Sequence, residues 1–166
     1  MAARADRIVL IGLPGAGKST VGPILAVRLG WKFVDLDAEI ENATGLQVAE
    51  IFLQQGEAGF RKIERELTLR LASEPHLILA PGGGWAVHNT LPGALMVWLQ
   101  VDPSVAIVRM GESANVRPLL QSDPLETLEQ LLAKRERFYA QADVTIDTNG
   151  KTPNAIASEI IGAQEL

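Results

Sequence analysis

Eight residues near the start of the chain, Gly12-Leu13-Pro14-Gly15-Ala16-Gly17-Lys18-Ser19, fit the phosphate-loop pattern G-x-x-x-x-G-K-[ST]. In that pattern backbone N–H groups wrap around phosphate oxygens, and the N-terminus of the next helix adds partial positive charge. Gly12, Gly15 and Gly17 remove Cβ atoms where the chain turns tightly or approaches the phosphates. Lys18 is expected to reach the β- and γ-phosphates, and the Ser19 hydroxyl to sit on Mg²⁺. Ala16 and Thr20 complete the stretch expected to touch ATP. A glycine-rich turn that binds nothing would have the same composition. Against that stand the apolar run Ile8–Ile11 before the motif and the helix-like run Thr20–Leu29 after it, because the motif needs a strand to enter and a helix to leave. A nucleoside triphosphate binds here; where its phosphate goes depends on the rest of the chain.

Four further groups bear on the acceptor. Asp35-Leu36-Asp37 follows the second apolar run, where a strand's carboxyl end should aim both acids into a ligand crevice. One carboxylate can hold Mg²⁺ through water and the other can accept a hydrogen bond from an attacking hydroxyl. Either acid could instead cap a helix, but the pair in this place favours function. Glu57, Arg61 and Glu64 recur at helical spacing, a pattern that a merely solvated ion-pair helix would share. Pro81-Gly82-Gly83-Gly84 ends an apolar run and offers bare backbone and free N–H donors to a ligand. That run has no terminal acid, so magnesium depends on Ser19, the Asp35/Asp37 pair and water. Arg117 lies in a polar stretch and could approach the phosphates as an arginine supplied in cis. Arg135 and Arg137 lie on a late helix, where a solvated basic patch is an equal reading. Arginines pair with planar carboxylates, and Asp37 can accept from hydroxyls, so the set suits a small hydroxylated carboxylic acid and kinase chemistry.

The elements that must position these groups follow from the alternation of apolar runs and amphipathic stretches, which predicts βα units and a parallel sheet. Strands are expected at Ile8–Ile11, Lys32–Val34, Leu77–Ala80, Leu95–Leu99 and Val144–Asp147. Helices are expected at Ser19–Leu29, Asp37–Thr44, Gln47–Gln55, Glu57–Ala72, Pro103–Met110, Leu125–Gln141 and Pro153–Gly162. Gly30, Gly45, Gly56 and Gly150 punctuate them. The polar stretch from Gly111 to Pro124 reads as a lid. At 166 residues, 47% hydrophobic and 21% charged, the chain fits a single folded domain. A net charge of −5 argues against general nucleic-acid binding. The absence of cysteine removes disulfides and thiolate metal sites. No run approaches the ~20 apolar residues of a membrane span, so a soluble cytoplasmic protein is expected, and a monomer, since nothing marks an interface.

With these residues in place the arrangement closely resembles the shikimate kinase family. The matching segments are Gly12–Thr20, Asp35/Asp37, Gly56–Glu64, Gly82–Gly84, Arg117–Leu120 and Lys134–Tyr139, in order and at the family's spacing from about Ile8 to Pro153. The resemblance implies a nucleoside-monophosphate-kinase-like α/β fold, with a five-stranded parallel sheet flanked by helices. A substrate-binding segment at about 35–64 and a lid at about 111–124 come with it. It implies ATP-dependent phosphorylation of the shikimate 3-hydroxyl, on the way to chorismate and the aromatic amino acids. By motif position, Asp37 would hold the shikimate hydroxyls and be the candidate base. Arg61 and Arg135 would bind the carboxylate, with Gly82, Gly83 and Gly84 at the floor and Glu64 holding Arg61. Arg117 would bridge ATP and the transferring group, Pro153 would join the ATP site, and Asp35 would support Mg²⁺ through water. Three features stand apart from the family's pattern: Trp85 after the triple glycine, Met110 where an arginine often faces adenine, and the lid sequence Glu112-Ser113-Ala114-Asn115, which says little about closure. The closest rival is a related kinase of another hydroxylated acid such as gluconate. The R-x-x-E helix, triple glycine and R-P-L-L segment point away from it. A non-catalytic relative should have lost Lys18, Asp37 or the arginines, and a GTPase should carry an N-K-x-D segment that this chain lacks.

Overall fold

The computed structural model describes residues 4–111 and 123–165. The chain runs β1 (Arg7–Ile11), α1 (Lys18–Leu29), β2 (Lys32–Asp35), α2 (Leu36–Thr44), α3 (Val48–Leu71), β3 (Leu77–Ala80), α4 (Trp85–His88), β4 (Leu95–Gln100), α5 (Pro103–Met110), α6 (Pro124–Tyr139), β5 (Val144–Asp147) and α7 (Pro153–Gln164). The strands form one sheet in the order β2-β3-β1-β4-β5. Every neighbouring pair is parallel, with Val9 opposite Leu79 on one side and Met96 on the other. Ile8, Val9, Leu10, Leu77, Ile78 and Leu79 are fully buried, as expected of strands covered on both faces by crossover helices. Helix α1 packs on α7, and α6 packs on α4 and α5. Among the described residues no helix is long and apolar enough to cross a membrane.

All five expected strands and all the expected helices are present, with ends matching or shifted by at most two residues. Gly56 does break the long helical stretch: its φ of 70° and ψ of −178° interrupt α3 between the two segments read from the sequence. The short helix α4, beginning at Trp85, is new. Its four residues are too few for a hydrophobic period to register.

Strand order decides where ligands bind. From β1 the chain crosses β3 to form β2, returns to β3, then passes to the other side for β4 and β5. The loops leaving β1, β2 and β3 therefore meet at one end of the sheet, beside the switch point where parallel sheets bind ligands.

Candidate active site

The phosphate loop joins β1 to α1. Gly17 takes a left-handed conformation (φ 104°) and supplies no side-chain cap to α1. The N-terminus of α1 therefore faces the loop without a side-chain cap, and a helix N-terminus favours an anion. Loop glycines are forced by contact as well as by angle. A Cβ on Gly12 would lie 2.6 Å from the Leu99 carbonyl oxygen, and one on Gly15 2.7 Å from that of Ala106. Lys18 Nζ donates to the carbonyl oxygens of Gly12 and Leu13, which holds the ammonium over the loop. Pro14, Gly15, Gly17, Lys18, Ser19 and Thr20 line one side of a cavity of about 360 Å³.

Across that cavity stand Asp35, Asp37, Gly82 and Gly83. The two acids split their roles. Asp35 accepts from Ala38 N at 3.2 Å and caps α2, the structural role its position allowed, while its carboxylate also borders the cavity. Asp37 lies two residues further on, in the first turn of α2, and its Oδ1 is buried with no hydrogen-bond partner. Burial pushes its pKa up from 3.8 to about 6, with Asp35 and Glu64 adding repulsion and Lys18 opposing. A buried, unsatisfied acceptor beside a phosphate loop is a group waiting for a donor.

The triple glycine is the floor on which the acid and both arginines converge. A Cβ on Gly82 would meet Asp37 at 3.3 Å, one on Gly83 would meet Arg135 Nη1 at 2.5 Å, and one on Gly84 would meet Arg61 Nη2 at 2.5 Å. Any side chain at the last two positions would displace a guanidinium. Arg61 is held by Glu64, whose oxygens lie 2.9 and 3.2 Å from Nη1, with Glu57 at 3.5 Å from Nε. Glu64 itself is fully buried, and burial raises its pKa while Arg61 and Asn89 oppose the rise. His88 is held below the usual histidine value by burial first, then by Arg61, against Glu57, with Arg135 adding to the effect. The two guanidinium groups at the floor suit an anionic group of the acceptor.

A second cavity of about 360 Å³ adjoins the loop, lined by Gly15, Ala16, Gly17, Thr20, Val21, Arg109, Lys151, Pro153 and Ile156. Arg109 borders both cavities. Its guanidinium is fixed by Thr148 Oγ1 at 2.9 Å, the Thr148 carbonyl at 2.5 Å and the Ala16 carbonyl at 3.4 Å. Met110 lines the first cavity.

Gly12, Gly15, Ala16, Gly17, Lys18, Ser19, Thr20, Asp35, Asp37, Arg61, the three glycines, Arg135 and Pro153 therefore gather around one end of the sheet. Arg117 and the segment Glu112–Asn115 lie outside the described residues. Arg137 is exposed and stacks on Phe138 with 4.8 Å from Cζ to the ring centroid, away from this cluster. Trp85 does not shape the floor by exposing its ring. It is fully buried, and its indole N–H donates to Thr68 Oγ1 at 2.9 Å. Two supporting residues escaped sequence reasoning. Tyr139, read as core, is buried but also donates its hydroxyl to the Gly83 carbonyl. Asn89 donates to Glu64 Oε1 at 3.1 Å. Tyr139 closes the Lys134–Tyr139 segment of the resemblance but is given no role there, and Asn89 carries no local pattern that would mark it.

A parallel sheet with a phosphate loop, a partnerless acid and two arginines at a glycine floor defines a P-loop phosphotransferase with a second site for a small anion. Comparison with known proteins narrows the class. The shikimate kinase family profile matches residues 14–165. The shikimate kinase of Moorella thermoacetica is 45% identical over 158 residues, 92% of this chain and 91% of the relative. Among solved structures, a shikimate kinase from Acinetobacter baumannii in complex with shikimate superposes with a TM-score of 0.86 at 36% identity, covering 95% of this chain and 92% of that one. The Bacteroides thetaiotaomicron shikimate kinase has a TM-score of 0.88 at 31% identity over 96% of this chain and 98% of that one. A gluconokinase from Sinorhizobium meliloti shares the fold at 20% identity and a TM-score of 0.64. The chain belongs to the shikimate kinase family.

Proposed function

We propose that this enzyme transfers the γ-phosphoryl group of ATP to the 3-hydroxyl of shikimate, giving shikimate 3-phosphate and ADP. The observation that carries the reading is the convergence of Asp37, Arg61 and Arg135 on the three glycines opposite the phosphate loop. That floor offers one hydroxyl acceptor and two guanidinium donors to a single small molecule, which matches a hydroxylated ring bearing a carboxylate.

The loop N–H groups and Lys18 hold the β- and γ-phosphates, and the cavity beside Arg109, Pro153 and Ile156 takes the nucleoside. Arg61 and Arg135 grip the acceptor carboxylate, so its hydroxyl is carried to Asp37. There the unpartnered Oδ1 orients the hydroxyl and takes its proton. The acceptor oxygen bonds to the γ-phosphorus as the bond to the β,γ-bridging oxygen breaks, and ADP leaves. Little basic assistance is needed when such a transition state is loose, so placement dominates. Arg117 is assigned by motif position to the transferring phosphate.

Magnesium fits the residues present. Among the described residues no cluster of three or more acids and histidines could hold a metal alone, but Mg²⁺ in kinases takes most of its ligands from phosphate and water. The Ser19 hydroxyl and, through water, the Asp35 carboxylate border the same cavity and would hold it. Bound there, it would neutralise charge developing on the β- and γ-oxygens.

The test is ADP release from MgATP with shikimate, gluconate, quinate or no acceptor. Shikimate alone should stimulate turnover strongly. Stimulation by gluconate or quinate without shikimate would replace the acceptor and leave the phosphotransferase class standing.

A further inference from the structure

We infer that the segment from Trp85 to Asn89 is a positioning clamp for Arg61, setting the enzyme's preference for a carboxylate-bearing acceptor. Arg61 depends on Glu64, and Glu64 is held from two directions by this segment. Asn89 Nδ2 donates to the Glu64 carboxylate at 3.1 Å. The Trp85 indole donates to Thr68 Oγ1 at 2.9 Å, and that hydroxyl donates to the Glu64 carbonyl oxygen at 2.8 Å. Both relays lie in the interior: Trp85 and Glu64 are fully buried and Thr68 is 2% exposed. Polar groups so placed cost stability unless each finds a partner, and here each does.

The clamp is tied to the glycine floor as well. Trp85 N donates to the Gly82 carbonyl and Val87 N to that of Gly84, while Asn89 N and Nδ2 both donate to the Trp85 carbonyl. Floor and helix α3 are thereby locked together where Arg61 Nη2 lies over Gly84. A phenylalanine at position 85 would keep an aromatic ring in a somewhat smaller volume; only the indole N–H makes the tie to α3. Trp85, Thr68 and Asn89 line neither of the two cavities at the site and act through Glu64 and Arg61.

This inference rests on the assignment of Arg61 to the acceptor carboxylate, and the experiment separates the two. Full-length wild type and the variants Trp85→Phe, Asn89→Leu, Thr68→Val and Thr68→Ser are assayed with MgATP on shikimate and on its neutral primary amide. Wild type should prefer shikimate. Trp85→Phe, Asn89→Leu and Thr68→Val should each lose about tenfold in kcat/KM for shikimate, mainly through KM, the effect of about one hydrogen bond. Activity on the amide and the KM for ATP should stay within about twofold, and Thr68→Ser, which keeps the hydroxyl, should behave like wild type. Equal losses on both acceptors would show a general packing defect and overturn the clamp. So would an unchanged preference in Trp85→Phe, the variant that keeps an aromatic side chain but loses the indole N–H. A wild type with no preference for the carboxylate would overturn the Arg61 assignment beneath it.

Discussion

At the scale of single residues, Asp37 is where stability and function pull apart. Its carboxyl titrates near 3.8 in an unfolded chain and near 6 in the fold, chiefly because burial penalises the charged form. Between those pH values the folded protein keeps a proton that the unfolded chain has released. Stability tied to this group is therefore fully present below about pH 4 and lost as pH rises through 6, by roughly 3 kcal/mol. Function needs the opposite state, because only the carboxylate can accept a proton. Asp37→Asn should therefore melt at a higher temperature than wild type at pH 8, with the difference closing towards pH 4. The same variant should lose at least ~100-fold in turnover. Differential scanning calorimetry at the two pH values checks the first half. Equal melting temperatures at pH 8 would mean that bound water or Lys18 already offsets the buried charge. In wild type, kcat/KM for the acceptor should fall on the acid side of about pH 6 as Asp37 takes up its proton.

At the scale of elements, the strand end carrying Gly82–Gly84 does more than turn the chain. Its missing side chains make room for Asp37, Arg135 and Arg61 in that order. Gly84→Ala tests this directly. The new Cβ would meet the far end of a flexible arginine rather than backbone, and Gly84 has an ordinary φ of −88°, so the fold should survive. Arg61 must move, and the KM for shikimate should rise at least ~10-fold with little change in that for ATP, since a small misplacement of a positioning group costs that much. A rise in both constants together would move the effect from the floor to the whole crevice. The floor was legible in the sequence because three glycines in a row need a reason, and so was the loop, because strand, motif and helix are contiguous. Asp35 and Asp37 were legible as a pair; only the structure assigns the helix cap to one and leaves the other unpartnered. The supports were not legible. Thr68 and Asn89 look like ordinary core or loop residues, Tyr139 and Trp85 were marked only by their place in or beside a motif, and the roles of all four arise from contacts between elements distant in sequence, such as Tyr139 to Gly83.

At the scale of the whole molecule, the order β2-β3-β1-β4-β5 makes one chain into two facing half-sites. In the function proposed above, the contiguous β1 loop takes the donor, and the segments after β2 and β3, brought together by the strand order, take the acceptor. Arg109 and Thr148 extend the donor half across to β5. Because the halves are distinct, their ligands should stabilise the protein separately. A non-hydrolysable ATP analogue with Mg²⁺ at 100 times its Kd should add about 2.7 kcal/mol. For a domain of this size that raises the melting temperature by roughly 5–10 °C. Lys18→Ala should lose most of this shift, because the ammonium that holds the phosphates is gone. Arg61→Ala should keep the nucleotide shift and lose the one produced by shikimate. Thermal unfolding of the three proteins with each ligand alone reads all of this in one experiment. If Arg61→Ala loses both shifts in equal measure, the two half-sites are a single cooperative unit, and the division of labour between loop and floor is wrong.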